Sequence, residues 1–351
     1  MKKLLLIIAA TLSVVSAMAQ ESEWGRKVTN YVSTPKAGAY FISKYAWTDQ
    51  PGQISNSFSQ RMTRAYVDGS IFTDFKYRVQ VQINNAAFHM KDYYVEWARY
   101  KEFSVKIGQY KRAFLFENPY NPWDVCFGDY SQITKKFSGM GDYCGEAGNV
   151  GGRDQGIQIQ GDLFPISDDG HRLIHYQFQV MNGQGINTGD SNSRKDLLGT
   201  IQFQPIQDLY IGVFGWTGDY VANGVTVDRD RWAVSAKYEH NGWTARAEYA
   251  SSNGYKISDY NAMTKKFTGA GVADGWYAAV GVPVNDWIKL CAKYDVYRDQ
   301  GTWASSQTIW AFAPNFQIHK NLMLQLQYNF VDNRLGGQKF NELWAEVYVR
   351  F

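Results

Sequence analysis

The chain has 351 residues, a formal net charge of +3, and 16% aromatic against 20% charged residues. So even a balance gives no global basic field for nucleic acid, and any charge selectivity has to come from where the charges sit. Beyond the N-terminal segment no run approaches the ~18 consecutive apolar residues of a membrane helix.

Residues 1–19 read as a signal peptide. Lys2 and Lys3 give a charged start, Leu4 to Val15 an apolar core, and Ala17-Met18-Ala19 a cleavage signal. The apolar run is shorter than the ~20 residues a membrane anchor needs. Residues 20–351 then form one domain, with a formal charge of about +1 once Lys2 and Lys3 are gone. Export places thiols in an oxidising compartment, so Cys126 and Cys144 are a candidate disulfide, with two unpaired surface thiols as the alternative. Cys291 lies alone in a strand pattern and reads as a small packed side chain.

Along the chain, period-2 alternation dominates. Phe75, Tyr77, Val79, Val81 and Ile83 alternate with Lys76, Arg78, Gln80, Gln82 and Asn84. Ile288 to Val296 and Leu322 to Phe330 repeat the pattern. Sixteen strands are predicted, near 37–47, 57–71, 75–86, 91–100, 103–116, 154–163, 171–182, 195–205, 208–219, 229–240, 242–252, 274–283, 286–297, 304–317, 320–331 and 340–351. Most are long enough to cross a bilayer at a tilt. Sustained helical spacing is absent.

The connections segregate. Those near Thr73-Asp74, Lys101-Glu102, Pro165 to Gly170, Pro205 to Asp208, His240 to Gly242, Val284 to Asp286 and Lys320 are short. The interleaved ones, 117–153, 183–194, 220–228, 253–273 and 332–339, are mostly longer. Short turns on one side and longer loops on the other is the asymmetry of outer-membrane barrels. In lipid every backbone polar group must be paired, so the sheet has to close. At the C-terminus, Leu343, Ala345, Val347, Val349 and Phe351 form an apolar face ending on an aromatic, the pattern of a final barrel strand. The predicted fold is therefore all-β: a transmembrane antiparallel β-barrel of about sixteen strands, wide enough for an aqueous channel. Its third outer loop, 117–153, is far the longest and is expected to fold into the pore.

Three stretches carry a family resemblance: RMTRAYVDGSIFTDFKYRVQVQI (61–83), DYYVEWARYKEFSVKIGQYKRAF (92–114) and GGRDQGIQIQGDL (151–163). Their order and spacing, with the "Y-V-E" strand, the "V-K-x-G-Q-Y-K" strand and the "G-R-D-x-G" that closes the long loop, resemble the phosphate-selective porin O and P family over about a third of the chain. The resemblance implies a sixteen-stranded, homotrimeric porin of the bacterial outer membrane, surrounded by outer-membrane lipid, whose third loop constricts the pore. No cofactor, metal or nucleic-acid partner is implied.

With apolar faces toward lipid, Lys76, Arg78, Lys106 and Arg112 on strands three and five point inward beside the long loop. Lys135, Lys136 and Arg153 lie in that loop or at its root. A basic ring at a constriction favours anions, so these seven residues are the expected anion path for small hydrophilic or anionic solutes, phosphate among them. Each also has a plainer role as a solvated or cross-strand paired wall residue. Trp47, Tyr66, Trp97, Tyr210, Trp216, Trp243, Trp276 and Trp310 lie near strand ends and are expected in interface girdles. Two other function classes remain: a structural or adhesive barrel plugged by its loop, and a barrel hydrolase. No Ser occupies a nucleophile-elbow pattern, so the chain is read as a non-enzyme.

Overall fold

The computed structural model describes residues 33–84, 87–139, 151–166, 169–222, 225–253, 260–261, 263, 266–267 and 272–351. The proposed signal peptide lies outside them. The described residues form β1 (Lys36–Thr48), β2 (Asn56–Ile71), β3 (Phe75–Asn84), β4 (Ala87–Trp97), β5 (Ser104–Lys111), β6 (Arg153–Pro165), β7 (Arg172–Met181), β8 (Asp196–Ile206) and β9 (Leu209–Ala222). They continue with β10 (Val225–His240), β11 (Trp243–Asn253), a small hairpin β12 (Tyr260–Asn261) and β13 (Lys266–Phe267), then β14 (Val272–Asn285), β15 (Ile288–Arg298), β16 (Ser306–His319), β17 (Leu322–Asn333) and β18 (Gln338–Arg350). All except β12 and β13 close into one sixteen-stranded antiparallel barrel. Closure comes from β1 against β18, in register from Tyr40 opposite Arg350 to Thr48 opposite Glu342. Every wall strand thus has two neighbours, which removes the unpaired edge that lipid could not solvate.

Alternation sets the two faces. In β11, Thr244, Arg246, Glu248, Ala250 and Ser252 are buried toward the interior, while Trp243, Ala245 and Ala247 are exposed. Around the barrel, Val79, Ile107, Ile201, Val213, Val280 and Val347 all project outward as exposed apolar side chains. A contiguous apolar exterior is unfavourable in water and suits a bilayer. No helix among the described residues is long and apolar enough to cross a membrane.

The structure shifts three sequence expectations. Residues 220–228, expected as a loop, belong largely to strands: β9 runs to Ala222 and β10 starts at Val225, with Thr217 opposite Asp230 and Ala222 opposite Val225. The fifth strand, expected to reach 116, leaves the wall at Lys111. From there Phe114, Leu115 and Phe116 turn into the interior and are buried, with Leu115 at a positive φ of 67°. Among its described residues the long loop also holds a short helix, α1 (Gln132–Phe137), which its length and composition did not reveal. Ser131 caps it, its hydroxyl accepting from the Thr134 amide at 3.3 Å.

The loop crosses the lumen and is fastened to the far wall. Glu248 of β11 accepts from the amides of Phe116 (2.7 Å) and Glu117 (3.0 Å). Asp295 of β15 accepts from the Gln132 amide at 3.0 Å, and Gln327 of β17 from the Gly128 amide at 2.7 Å. Glycine clears space for the docking. A Cβ on Gly275 would meet Ile133 Cγ2 at 2.6 Å, and one on Gly212 would meet the Phe116 ring at 2.9 Å. Phe114, Phe116, Val125, Phe127, Ile133 and Phe137 bury themselves against wall residues such as Phe214, Trp216 and Tyr277. Folding the loop inward therefore gives the barrel an apolar core that the alternating strands alone lack.

Candidate functional site

Among the described residues, two cavities border the loop in the lumen. The first, of about 420 Å³, extends from the loop root at Lys111 and Arg153 toward the short-turn side at Arg78 and Lys106. Seven Lys and Arg residues line it, against one carboxylate, Asp92. The second, of about 610 Å³, reaches the short-turn end at Asn241, Gly242 and Asp286, and is bordered by both signs of charge: Asp124, Glu239 and Asp286 with Arg246 and Lys289. Tyr120 lines both cavities. Its hydroxyl donates to Glu239 at 2.8 Å, and the Arg246 guanidinium lies 4.1 Å from its ring centroid.

The seven residues expected from sequence occupy different settings. Arg78 lines the first cavity and makes a two-point ion pair with Asp68, at 2.7 and 2.8 Å. Lys106 lines it too, 3.5 Å from Glu96 across the β4–β5 pair and stacked near Tyr94 and Tyr110. The β5 register runs unbroken through Gly108, which has a φ of +132° and would drive a Cβ to 2.2 Å from the Tyr93 carbonyl. With no bulge at Gly108, strand alternation keeps Lys106 facing inward. Arg153 lies at the start of β6, bound to Asp92 at 2.7 and 2.8 Å. Arg112 is not on a strand. It is fully buried at the first step of the loop, donating to Asp154 at 2.8 Å with the Trp216 ring 4.7 Å away. Lys76 is exposed near the β2–β3 turn, opposite Ser70 and Glu96, and does not line the cavity. Lys135 and Lys136 stand on α1, Lys135 bonded to Asp129 at 2.6 Å and Lys136 above the Tyr297 ring at 5.4 Å. Burial works to raise the Asp129 carboxyl, but Lys135 and Arg61 outweigh it and bring it down to about 2. Cys144 lies outside the described residues; Cys126 stands as a thiol.

The expected path missed three cavity-lining cations that differ in kind. Among the described residues, no carboxylate comes within ion-pair distance of Arg64, Lys111 or Lys237. Arg64 donates to Gln82 (2.8 Å) and Tyr40 (3.0 Å). Lys111 donates to the carbonyls of Asn118 and Tyr120. Lys237 lies over the rings of Phe116, Tyr120 and Tyr210 at 4.7 to 5.5 Å. Neutral dipoles and ring faces hold these charges in place without cancelling them. Lys91, inserted by a bulge opposite Gln80 and Val81, adds a further buried cation beside Asp92.

Some aromatics also fall elsewhere than expected. Trp243 and Trp310 are exposed on the barrel exterior, as girdle residues should be. Trp216 is buried in the lumen among Arg112, Arg229 and Arg231, each with its guanidinium carbon 4.4 to 4.7 Å from the ring centroid. Tyr210 packs on Phe116, and Tyr66 lies under Arg78. Position near a strand end left the face undecided; alternation with the outward apolar Ile211 and Val213 was the signal that places Trp216 inside.

The buried pair at the loop root carries a stability prediction. Arg112→Ala would leave Asp154 without its cation in a site closed to solvent. The expected cost is about 3–5 kcal/mol, read as a lower temperature for the barrel-to-unfolded mobility shift on gels.

A closed sixteen-stranded barrel with an inward-folded third loop and a polar lumen is the architecture of outer-membrane porins. Solved structures of outer-membrane proteins superpose on this chain. An anion-selective porin from Comamonas acidovorans matches with a TM-score of 0.70 at 13% identity, over 91% of this chain and 100% of that one. The outer membrane channel DcaP of Acinetobacter baumannii matches with a TM-score of 0.63 at 12% identity, over 92% and 98%. A trimer form of OmpT, an outer membrane protein of Vibrio cholerae, matches with a TM-score of 0.58 at 12% identity, over 90% and 99%. At these identities the likeness concerns the fold. Neither a protein-family model nor a curated protein matches the sequence.

Proposed function

We propose that this chain is a bacterial outer-membrane porin for passive diffusion of small hydrophilic solutes, with a modest preference for anions, phosphate included. The observation that carries the preference is the charge of the first cavity: seven cations to one carboxylate on its lining, with Arg64, Lys111 and Lys237 lacking acidic partners. Fixed positive charge between low-dielectric walls raises the local concentration of anions and repels cations. Such a site in a wet pore binds weakly and is screened by salt, which suits passage rather than retention. The inward loop narrows the path, and the anion-selective neighbour is consistent with this sign of selectivity. A homotrimer is the proposed assembly, in keeping with the trimer form of one neighbour and with the family resemblance. The chain is proposed to act without catalysis.

Tyr120, shared by both cavities, is the proposed narrowing between them. Tyr120→Ala is expected to raise single-channel conductance in planar bilayers by about twofold or more, because removing the ring joins the two spaces. A wild-type protein that inserts and conducts no ions at all would instead favour the plugged structural barrel.

A further inference from the structure

Cys126 and Cys291 belong to different parts of the molecule: Cys126 to the inward loop, Cys291 to the barrel wall on β15. The structure brings them to one point. The side-chain amide nitrogen of Asn315 lies 3.1 Å from the Cys126 carbonyl and 3.3 Å from the Cys291 sulfur. Gln325 donates to the same Cys126 carbonyl at 2.9 Å, fixing this turn of the loop against β16 and β17. The Asn315 amide thus spans the two cysteines, holding the Cys126 backbone beside the Cys291 sulfur. Cys291 is almost fully buried at 1% exposure, while Cys126 lines the 610 Å³ cavity that reaches the short-turn end. In outer-membrane barrels that end meets the periplasm, an oxidising compartment.

We propose that Cys126 and Cys291 form a disulfide that ties the third loop to the barrel wall, made and broken by thiol–disulfide exchange from the periplasmic side. The tether does not depend on which solute the pore carries. Cys126 is the attacking group, since it is the one that borders the cavity. The neighbouring Cys291, acting against the effect of burial, holds the Cys126 thiol below its usual range and favours the thiolate. The Cys126 thiolate attacks one sulfur of a small disulfide oxidant, whose S–S bond breaks and releases a first thiol. Cys291 gives its proton to water in the cavity and attacks the Cys126 sulfur, which expels the second thiol. The two cysteines lose two electrons and two protons, and the oxidant's disulfide becomes two thiols.

The pairing competes directly with the Cys126–Cys144 disulfide expected from sequence, so peptide mapping separates them. The full chain is purified from outer membranes, one portion is treated with diamide, free thiols are alkylated, and both portions are digested without reductant. The expected result is a crosslinked peptide pair joining Cys126 to Cys291, lighter by two hydrogens than the two reduced peptides, in the diamide portion at least. It is also expected to persist in Cys144→Ser and to be lost in Cys291→Ser. A Cys126–Cys144 crosslink in the wild type, or alkylated Cys126 and Cys291 after diamide, overturns the proposal.

Discussion

Replacing Arg64, Lys111 and Lys237 together by Gln is expected to lower the chloride-to-potassium permeability ratio roughly fivefold at physiological ionic strength. A unit charge about 9 Å from a permeating ion is worth roughly 0.5 kcal/mol in water. A Debye length of about 8 Å cuts that to about a third. Three such charges then favour chloride by about 0.5 kcal/mol and disfavour potassium by as much, about 1 kcal/mol in the ratio, which is the fivefold. Neutralising three ion pairs whole, Arg78 with Asp68, Lys106 with Glu96 and Arg153 with Asp92, by Gln for each cation and Asn or Gln for each carboxylate, should move the ratio less. Each of those cations has its carboxylate at 2.7 to 3.5 Å, so the pair carries little net field into the pore. The two variants are to be compared by zero-current potential in a KCl gradient. A larger shift for the paired set than for the unpaired set would refute the assignment of the unpaired cations as the source of selectivity.

The second large effect is expected at Glu248. Four donors converge on its carboxylate: the amides of Phe116 and Glu117 at 2.7 and 3.0 Å, the Ser235 hydroxyl at 2.6 Å and the Tyr277 hydroxyl at 2.7 Å. Hydrogen bonds to a charged group contribute about 1.5–3 kcal/mol each, and a buried donor left unpaired costs more than the bond gained. In Glu248→Ala the two loop amides alone lose on the order of 3 kcal/mol. The wall strands keep their full ladders, so the barrel should still form. The loop should not stay docked. Limited trypsin digestion is expected to cut Glu248→Ala within the loop, at Lys135 or Lys136, at least tenfold faster than wild type, while both proteins keep the gel mobility of a folded barrel. Equal cleavage rates would show that the apolar packing of Phe116, Ile133 and Phe137 holds the loop by itself.

The barrel was legible because a strand's period of two is written directly into the side chains. Phe75 to Asn84 and Leu322 to Phe330 can bury one face only by lying as strands with lipid on one side and a polar lumen on the other. The long gap after β5 was legible as a loop for the same reason. Its interior was not. Glu248, Asp295 and Gln327 lie more than a hundred residues from the loop groups they hold, and nothing local in 117–139 announces those partners. Lys111 shows how alternation misleads at a boundary. Counted onward from Lys106 on a strand continuing to 116, it falls on the lipid face. The chain leaves the wall at that residue, and its amine turns inward to the Asn118 and Tyr120 carbonyls. Lys91 escaped for a related reason, since a bulge inserts it out of step. Arg112 illustrates a different gap. Its charge was plain, but its partner Asp154 comes from the far root of the loop, 42 residues away. A cation that borders the cavity is thereby also half of a buried ion pair.

The central claim is that fixed positive charge in the lumen sets the sign of selectivity. Its most direct test is the zero-current potential of the wild-type channel in a planar bilayer under a KCl gradient. The account predicts a potential of the sign set by chloride, moving toward zero as the salt on both sides is raised and screening shortens. A potential of the sign set by potassium would contradict it.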